Sequence, residues 1–346
     1  MKSTRKIGKL LFIQFLISLL TILFIFEPAW AKTIAIRYGT SAPPSSLHAV
    51  FAERFKTLVE ERTKGEINVK IFLSGTLGNN RELINMVQTG IFEITTPPSY
   101  LLTNILPMIG ILSVPYFHPS LEQLYNNPFM QDISKQLQNN NLRVISWLIG
   151  TERVLTSTRL IQQPYELKGM DIRTPISPTF IELYKNWGAN PAPIPWSEVY
   201  NALQTGKVEG VDIDLSSVAT MKLFEIQKYL ILTNHMRSSF PCIISEKVFQ
   251  RLRSEHQKIL IESAKSASEF ELQWVKNKKR EFLNASLSKG MNVIRPDLSG
   301  WIKLSKPVQE KIVKQYCAQC VGKWPPECDC DKDRSCTADC ECDPDC

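Results

Sequence analysis

An arginine at the end of a short strand is the most chemically pointed residue of this sequence. In LKGMDIRTPISPTF a turn at 167–169 leads into a strand carrying Arg173. Pro175 and Pro178 stop that strand, and an apolar helix follows from Phe180. A guanidinium is a planar fork of donors that meets a carboxylate with two parallel hydrogen bonds, a geometry lysine cannot reproduce. Ligands of α/β sheets sit at the carboxyl ends of strands, so Arg173 is assigned to the acid group of a small organic anion. Twenty-three residues on, Trp196 follows Pro195 at the start of a second helix, with Ser197 and Glu198 keeping acceptors near its N-terminus. A ring entering a helix beside a cleft can cover a solute's carbon skeleton and exclude water; packing into a core is the alternative.

No pattern for covalent chemistry accompanies these residues. The chain has no Gly-x-Ser-x-Gly, no His-Glu-x-x-His and no P-loop, and no histidine lies near Arg173 in sequence. Its four histidines are scattered without ligand spacing. Neither catalytic residues, nor a resident metal, nor a cofactor is expected. Binding without transformation is the simpler reading.

The elements that must hold Arg173 follow an α/β grammar. Residues 33–38 alternate as a strand, and 39–46 form a loop. A helix carries Leu47, Phe51, Phe55 and Leu58 on one face until Gly65, and Ile67, Val69 and Ile71 make the next strand. This βαβ unit should cross over right-handed. Asn80 opens a helix with Leu83, Ile84 and Val87 inward and Gly90 at its stop; such a start suits an anion or a polar ligand atom. An apolar, proline-broken connection over 101–117 precedes a helix expected over 121–137 and a strand over 144–149. Later, 230–235 lead into a strand, and a long helix is expected over 256–284 with Leu260, Ala264, Ala267, Phe270 and Trp274 on one stripe.

The segments LKGMDIRTP, GANPAPIPWSEVYNALQTGKVEG and FEIQKYLILTNH resemble the DctP-type solute-binding proteins of TRAP transporters, over about 33–316. The resemblance implies an α/β, two-lobe periplasmic-binding-protein-like fold with mixed sheets, crossing strands and a long lobe-spanning helix. Its lobes would be 32–150 with 239–278, and 151–238 with 279–316. It implies a receptor that captures a small organic acid and delivers it to TRAP membrane subunits. It makes Arg153 a second anion contact and brings Ser41, Asn80 and Ser99 to the cleft. Pro241 to Ser245 falls on a second crossing strand, with Cys242 buried and inert, while His235 by itself reads as a turn or crossing residue rather than a metal ligand. One segment departs from the family. Where many relatives read Asp-Gly-x-Glu-Asn, this chain has Glu209-Gly210-Val211-Asp212-Ile213, and isoleucine donates no hydrogen bond. The ligand should then be less polar at that end, or be held by Asp212 or Asp214; either could instead cap the helix that follows.

At 346 residues the chain has room for about two domains. Lys2, Arg5, Lys6 and Lys9, an apolar stretch over 10–26, and Ala29-Trp30-Ala31 read as a cleavable signal peptide over 1–31, which directs the protein to the periplasm. An uncleaved anchor is the alternative. The body between signal and tail holds about nine excess positive charges, suited to an anionic solute or merely a solvated face. Scattered bases and export argue against nucleic acid.

From 317 the composition changes. Cys317, Cys320, Cys328, Cys330, Cys336, Cys340, Cys342 and Cys346 lie among acidic residues with almost no large apolar side chain. Such a stretch buries no core, so order must come from cross-links or metal. In an oxidising compartment disulfides are the default, against a zinc or copper(I) thiolate cluster or a disordered, accidental extension. A sensory or metal-handling secreted module acting through this tail is therefore the alternative function.

Overall fold

The computed structural model describes residues 33–117 and 120–316; the signal peptide and the cysteine-rich tail of the sequence reading lie outside these residues. The chain opens with β1 (Ile34–Gly39), α1 (Leu47–Arg62), β2 (Ile67–Phe72), α2 (Asn80–Thr89) and β3 (Ile94–Thr95). After two buried 3-10 turns come α3 (Leu121–Asn126), α4 (Pro128–Asn139) and β4 (Leu142–Ser157). The segment around Arg173 follows as β5 (Asp171–Thr174), α5 (Pro178–Asn186), β6 (Asn190–Pro193), α6 (Val199–Gln204), β7 (Gly210–Asp214) and α7 (Leu215–Thr220). The last elements are β8 (Tyr229–Ser245), α8 (Glu246–Phe249), α9 (Ser254–Ser288), β9 (Asn292–Ile294) and α10 (Ser299–Tyr316).

All nine strands of the described residues join one mixed sheet ordered β2-β1-β3-β8-β4-β7-β5-β6, with β9 on β8. β1 runs parallel to β2 and β3, and β5 parallel to β6 and β7, so each half is a small parallel sheet of the kind the βαβ grammar requires. Two long antiparallel strands join the halves. β4 pairs with β8 from Leu142↔Ser245 to Ser157↔Tyr229, and the register slips between Ile149 and Glu152. Ile145 and Leu148 of β4 belong to the core of the first half, and Val154 and Leu155 to the cores of the second. Gly150 sits at that passage, where a β-carbon would come within 3.0 Å of the Phe240 ring.

Several expectations change in detail. The helix expected over 121–137 is two helices, because Asn127 caps α4 through the Phe129 amide and Pro128 takes the first-turn position that needs no donor. The strand expected over 144–149 is sixteen residues long, and 230–235 and 241–245 are parts of one strand of seventeen. The long helix runs from Ser254 to Ser288. Leu260, Ala264 and Ala267 are buried as read, but Phe270 is 49% exposed and lies beneath the Arg54 guanidinium rather than in the stripe. Val275 packs into the first half and Phe282 into the second, so α9 ties them together. α10 does likewise, with Trp301 in a core of the second half and Val308 and Ile312 in the first. Among the described residues, no helix is long and apolar enough to cross a membrane.

Candidate functional site

The carboxyl ends of the parallel strands of both halves meet at one cavity. Ser41 and Pro43 follow β1, His48 lies in the first turn of α1, Asn80 begins α2, and Thr96 and Tyr100 follow β3. Arg173 comes from the end of β5, Trp196 follows β6, and Asp214, Ser216 and Ser217 join β7 to α7. Arg153 reaches in from β4, next to the passage between halves. The chamber has a volume of about 60 Å³. It shares Ser41, Pro43, Trp196 and Thr220 with an adjoining cleft of about 600 Å³.

The two arginines differ in how their charge is used. Arg153 is 6% exposed; its Nε donates to Asp212 Oδ1 at 2.5 Å, its Nη2 to the Asp212 carbonyl at 3.0 Å, and its ring-facing plane stacks 4.9 Å from Phe180. Asp212 in turn meets His235 Nε2 at 2.9 Å. Burial opposes both charges, yet the Arg153 and His235 contacts hold Asp212 at a pKa of about 2, and Asp212 keeps Arg153 raised. This is a closed, neutralised pair.

Arg173 is equally buried, at 3% exposure, but no carboxylate among the described residues pairs with it. Its Nε donates to the Ile194 carbonyl at 3.0 Å and its Nη1 to the Asp212 carbonyl at 3.2 Å. A guanidinium has five N–H groups, so three remain at the Nη1 and Nη2 end. Burial, aided by the neighbouring Arg153 charge, lowers its pKa to about 10. A desolvated cation with unspent donors beside a cavity has the chemistry to accept an anion.

Arg173, Arg153, Trp196, Asn80 and Ser41 thus come together around one chamber, with Ser41 donating to Asn80 Oδ1 at 2.9 Å. Asp212 and Ser99 do not line the chamber. Asp212 is fully buried with its oxygens committed to Arg153 and His235, and the Ser99 hydroxyl pairs with Ser239 at 2.8 Å beside a separate small void. Asp214 is the helix cap foreseen as its alternative role, accepting from the Ser217 amide at 3.0 Å, and it also faces the chamber. Ile213 points into a core, so its lack of an amide says nothing about ligand polarity. His235 is indeed a crossing-strand residue, and burial pushes the Cys242 thiol far up and leaves it inert.

Sequence reasoning missed His48, Tyr100, Ser216 and Ser217. A histidine near Arg173 was not expected, because only sequence neighbours were considered; His48 arrives from the far half. The available signal was its place in the first turn after a strand and loop, like Asn80. Among the described residues, no group of three or more His, Cys, Asp or Glu side chains is placed to hold a metal.

A cleft between two α/β halves, with a buried cation at its edge, is the kind of concave site that takes a small solute. The chain belongs to the family described as bacterial extracellular solute-binding protein, family 7 (DctP), which matches residues 38–316. It is 30% identical over 264 residues to the 2,3-diketo-L-gulonate-binding periplasmic protein YiaO of Escherichia coli, covering 75% of this chain and 80% of that one. Among solved structures, a TRAP periplasmic solute-binding protein from Roseobacter denitrificans with bound L-galactonate matches with a TM-score of 0.78 and 26% identity, over 84% of this chain and 97% of that one. Another from Polaromonas, bound to D-erythronate, gives 0.80 and 25% over 84% and 97%. The two-lobe fold implied by the resemblance is therefore the fold of this chain, and its family and neighbours are binding proteins rather than enzymes.

Proposed function

We propose that this protein is an extracytoplasmic receptor that captures a small organic acid and hands it to TRAP-type membrane subunits. The observation that carries this reading is Arg173: 3% exposed, bonded among the described residues only to two carbonyl oxygens, and edging the chamber between the halves. A carboxylate docked on its free Nη edge would neutralise a buried cation that no protein carboxylate pairs with among the described residues. Arg153, already balanced by Asp212, contributes a second, weaker contact, and Trp196, half-buried at the rim, covers the ligand's carbon skeleton. Ser41 and Asn80 complete the lining from the first half.

The halves serve as lobes of 32–150 with 239–278 and 151–238 with 279–316, closing by flexure of β4 and β8 where their register slips. Closure removes water from Arg173 and strengthens the ion contact. Residues 1–31 act as the export signal, which puts the receptor in the periplasm. Relatives that bind 2,3-diketo-L-gulonate, L-galactonate and D-erythronate support a carboxylate ligand, since each is an organic acid or its anion. Nothing is transformed.

The test is thermal unfolding of the purified protein against a panel of small organic acids. A receptor gains melting temperature with some of them and returns the acid chemically unchanged. Conversion of a stabilising acid into a product would replace this reading by an enzymatic one.

A further inference from the structure

The chamber has a second chemistry that the anion contact does not use. Asp214 is 7% exposed and has no basic side chain within ion-pair distance among the described residues. Its Oδ1 accepts from the Ser216 hydroxyl at 2.5 Å and from the Ser217 amide at 3.0 Å, whereas Oδ2 has only the Ser217 hydroxyl at 2.9 Å. That hydroxyl has one hydrogen, shared with Oδ1 at 3.0 Å, so Oδ2 retains acceptor capacity. His48, 8% exposed and from the other half, also lines the chamber. Its Nδ1 is tied to Thr96 Oγ1 at 2.9 Å, and its ring stands edge-on to Phe240 at 4.6 Å. Nε2 is left without a partner among the described residues. Burial lowers the His48 pKa to about 4, so the ring is neutral at ordinary pH.

We infer that Asp214 and His48 form a hydroxyl-reading subsite, which makes the ligand a small monocarboxylate bearing a hydroxyl near its acid group, and excludes dicarboxylates. This rests on the reading of Arg173 as the carboxylate anchor.

Three observations lead to that class. The Arg173 guanidinium bonds the Asp212 carbonyl, and Asp214 is two residues further along β7, roughly 7 Å of strand. Anchor and subsite are therefore within reach of one short molecule. The charges also limit the ligand: Arg153 is matched by Asp212, Arg173 takes one carboxylate, and Asp214 already brings a further acidic group to the chamber. A second carboxylate would have to lie against Asp214 in a desolvated space, where like charges repel strongly. Finally, one open acceptor edge and one neutral imidazole nitrogen suit a hydroxyl, which donates one hydrogen and accepts others. An ammonium would bring three N–H donors to the same place and leave some of them unpaired.

The test is calorimetric titration of the full chain with matched probes: glycolate and lactate, their deoxy counterparts acetate and propionate, the amino counterparts glycine and alanine, and succinate and malate. Hydroxy monocarboxylates should bind at least ~10-fold more tightly than deoxy, amino or dicarboxylate probes, the scale of a hydrogen bond to a charged group. Asp214→Asn, which keeps size and a capping oxygen, should shrink the hydroxyl preference and relatively favour succinate. His48→Ala, remote from the α7 cap, should shrink the same preference. Equal affinity for lactate and propionate, or tightest binding of alanine or succinate, overturns the inference while leaving Arg173 as anchor. Binding of every acid unaffected by Arg173→Lys overturns the anchor itself, and the subsite with it.

Discussion

Replacing Arg173 by methionine should make the unliganded protein more stable while abolishing acid binding. The pKa of Arg173 is held at about 10 instead of 12.5 by burial, with Arg153 adding to the effect. At about 1.4 kcal/mol per unit, its charge costs the apo fold about 3 kcal/mol. The sign is that of a depressed base: the group is charged in both folded and unfolded chains below pH 10, so the cost is constant through neutral pH and relieved only as pH rises through 10. Methionine fills similar space without charge, but the Ile194 and Asp212 carbonyls each lose a donor, at about 1 kcal/mol apiece. The net gain is then about 1 kcal/mol, or roughly 1–2 °C in melting temperature for a protein of this size. Wild type, by contrast, should gain about 2.7 kcal/mol with an acid present at a hundred times its Kd, and the variant nothing. Scanning fluorimetry with and without acid reads both effects. A methionine variant that is several degrees less stable, or that keeps the ligand-dependent shift, would refute the idea that Arg173 is retained for binding at the expense of stability.

Three further outcomes follow from the same geometry. Arg153→Ala should behave oppositely to Arg173→Met: it strands the buried Asp212 carboxylate and should cost about 3–5 kcal/mol in chemical denaturation, with a smaller effect on affinity per folded molecule than Arg173→Lys. Trp196→Ala, at a half-buried rim position, should leave the unfolding midpoint nearly unchanged but weaken acid binding by roughly 10-fold in titration calorimetry. Glu271 of α9 is fully buried with neither oxygen in a well-formed hydrogen bond, and burial drives its pKa well above the ordinary 4.5, opposed only by the Ile149 backbone. The native protein then binds a proton that the unfolded chain releases, so stability should fall as pH rises above 4.5, until the folded pKa is passed. Glu271→Gln should remove that fall, and the melting-temperature advantage of the variant should grow between pH 5 and pH 8; a constant or shrinking difference contradicts the argument.

Much of this fold was legible because its signals are local. Alternation in Ile67–Phe72, helical spacing in Leu47–Arg62 and the proline stops after Arg173 each report on a few neighbouring residues. The start of α2 was equally local, and the structure adds its capping box: Asn79 and Glu82 bond each other's backbone, and Gly78 leaves room for it, since a β-carbon there would meet the Glu82 carboxylate at 2.5 Å. What the sequence hid was which strand-end side chain enters a space bounded by distant segments. Asp212, Ile213 and Asp214 are adjacent, yet one is sealed against Arg153, one is core and one faces the chamber. That division is set by the β4 and β7 register, where Arg153 stands opposite Asp214, and by the lateral reach of Arg153 to Asp212. His48 was hidden for the same reason, because its partner surface lies in the other half of the molecule.

The central claim is that the Arg173 guanidinium grips the acid group of a small solute within the closed cleft. A crystal structure of the protein bound to the acid recovered from natively purified material tests it most directly. The account expects a carboxylate with both oxygens about 3 Å from Arg173 Nη1 and Nη2, under the Trp196 ring. A carboxylate seated elsewhere, with the Nη edge of Arg173 left facing only water, would contradict it.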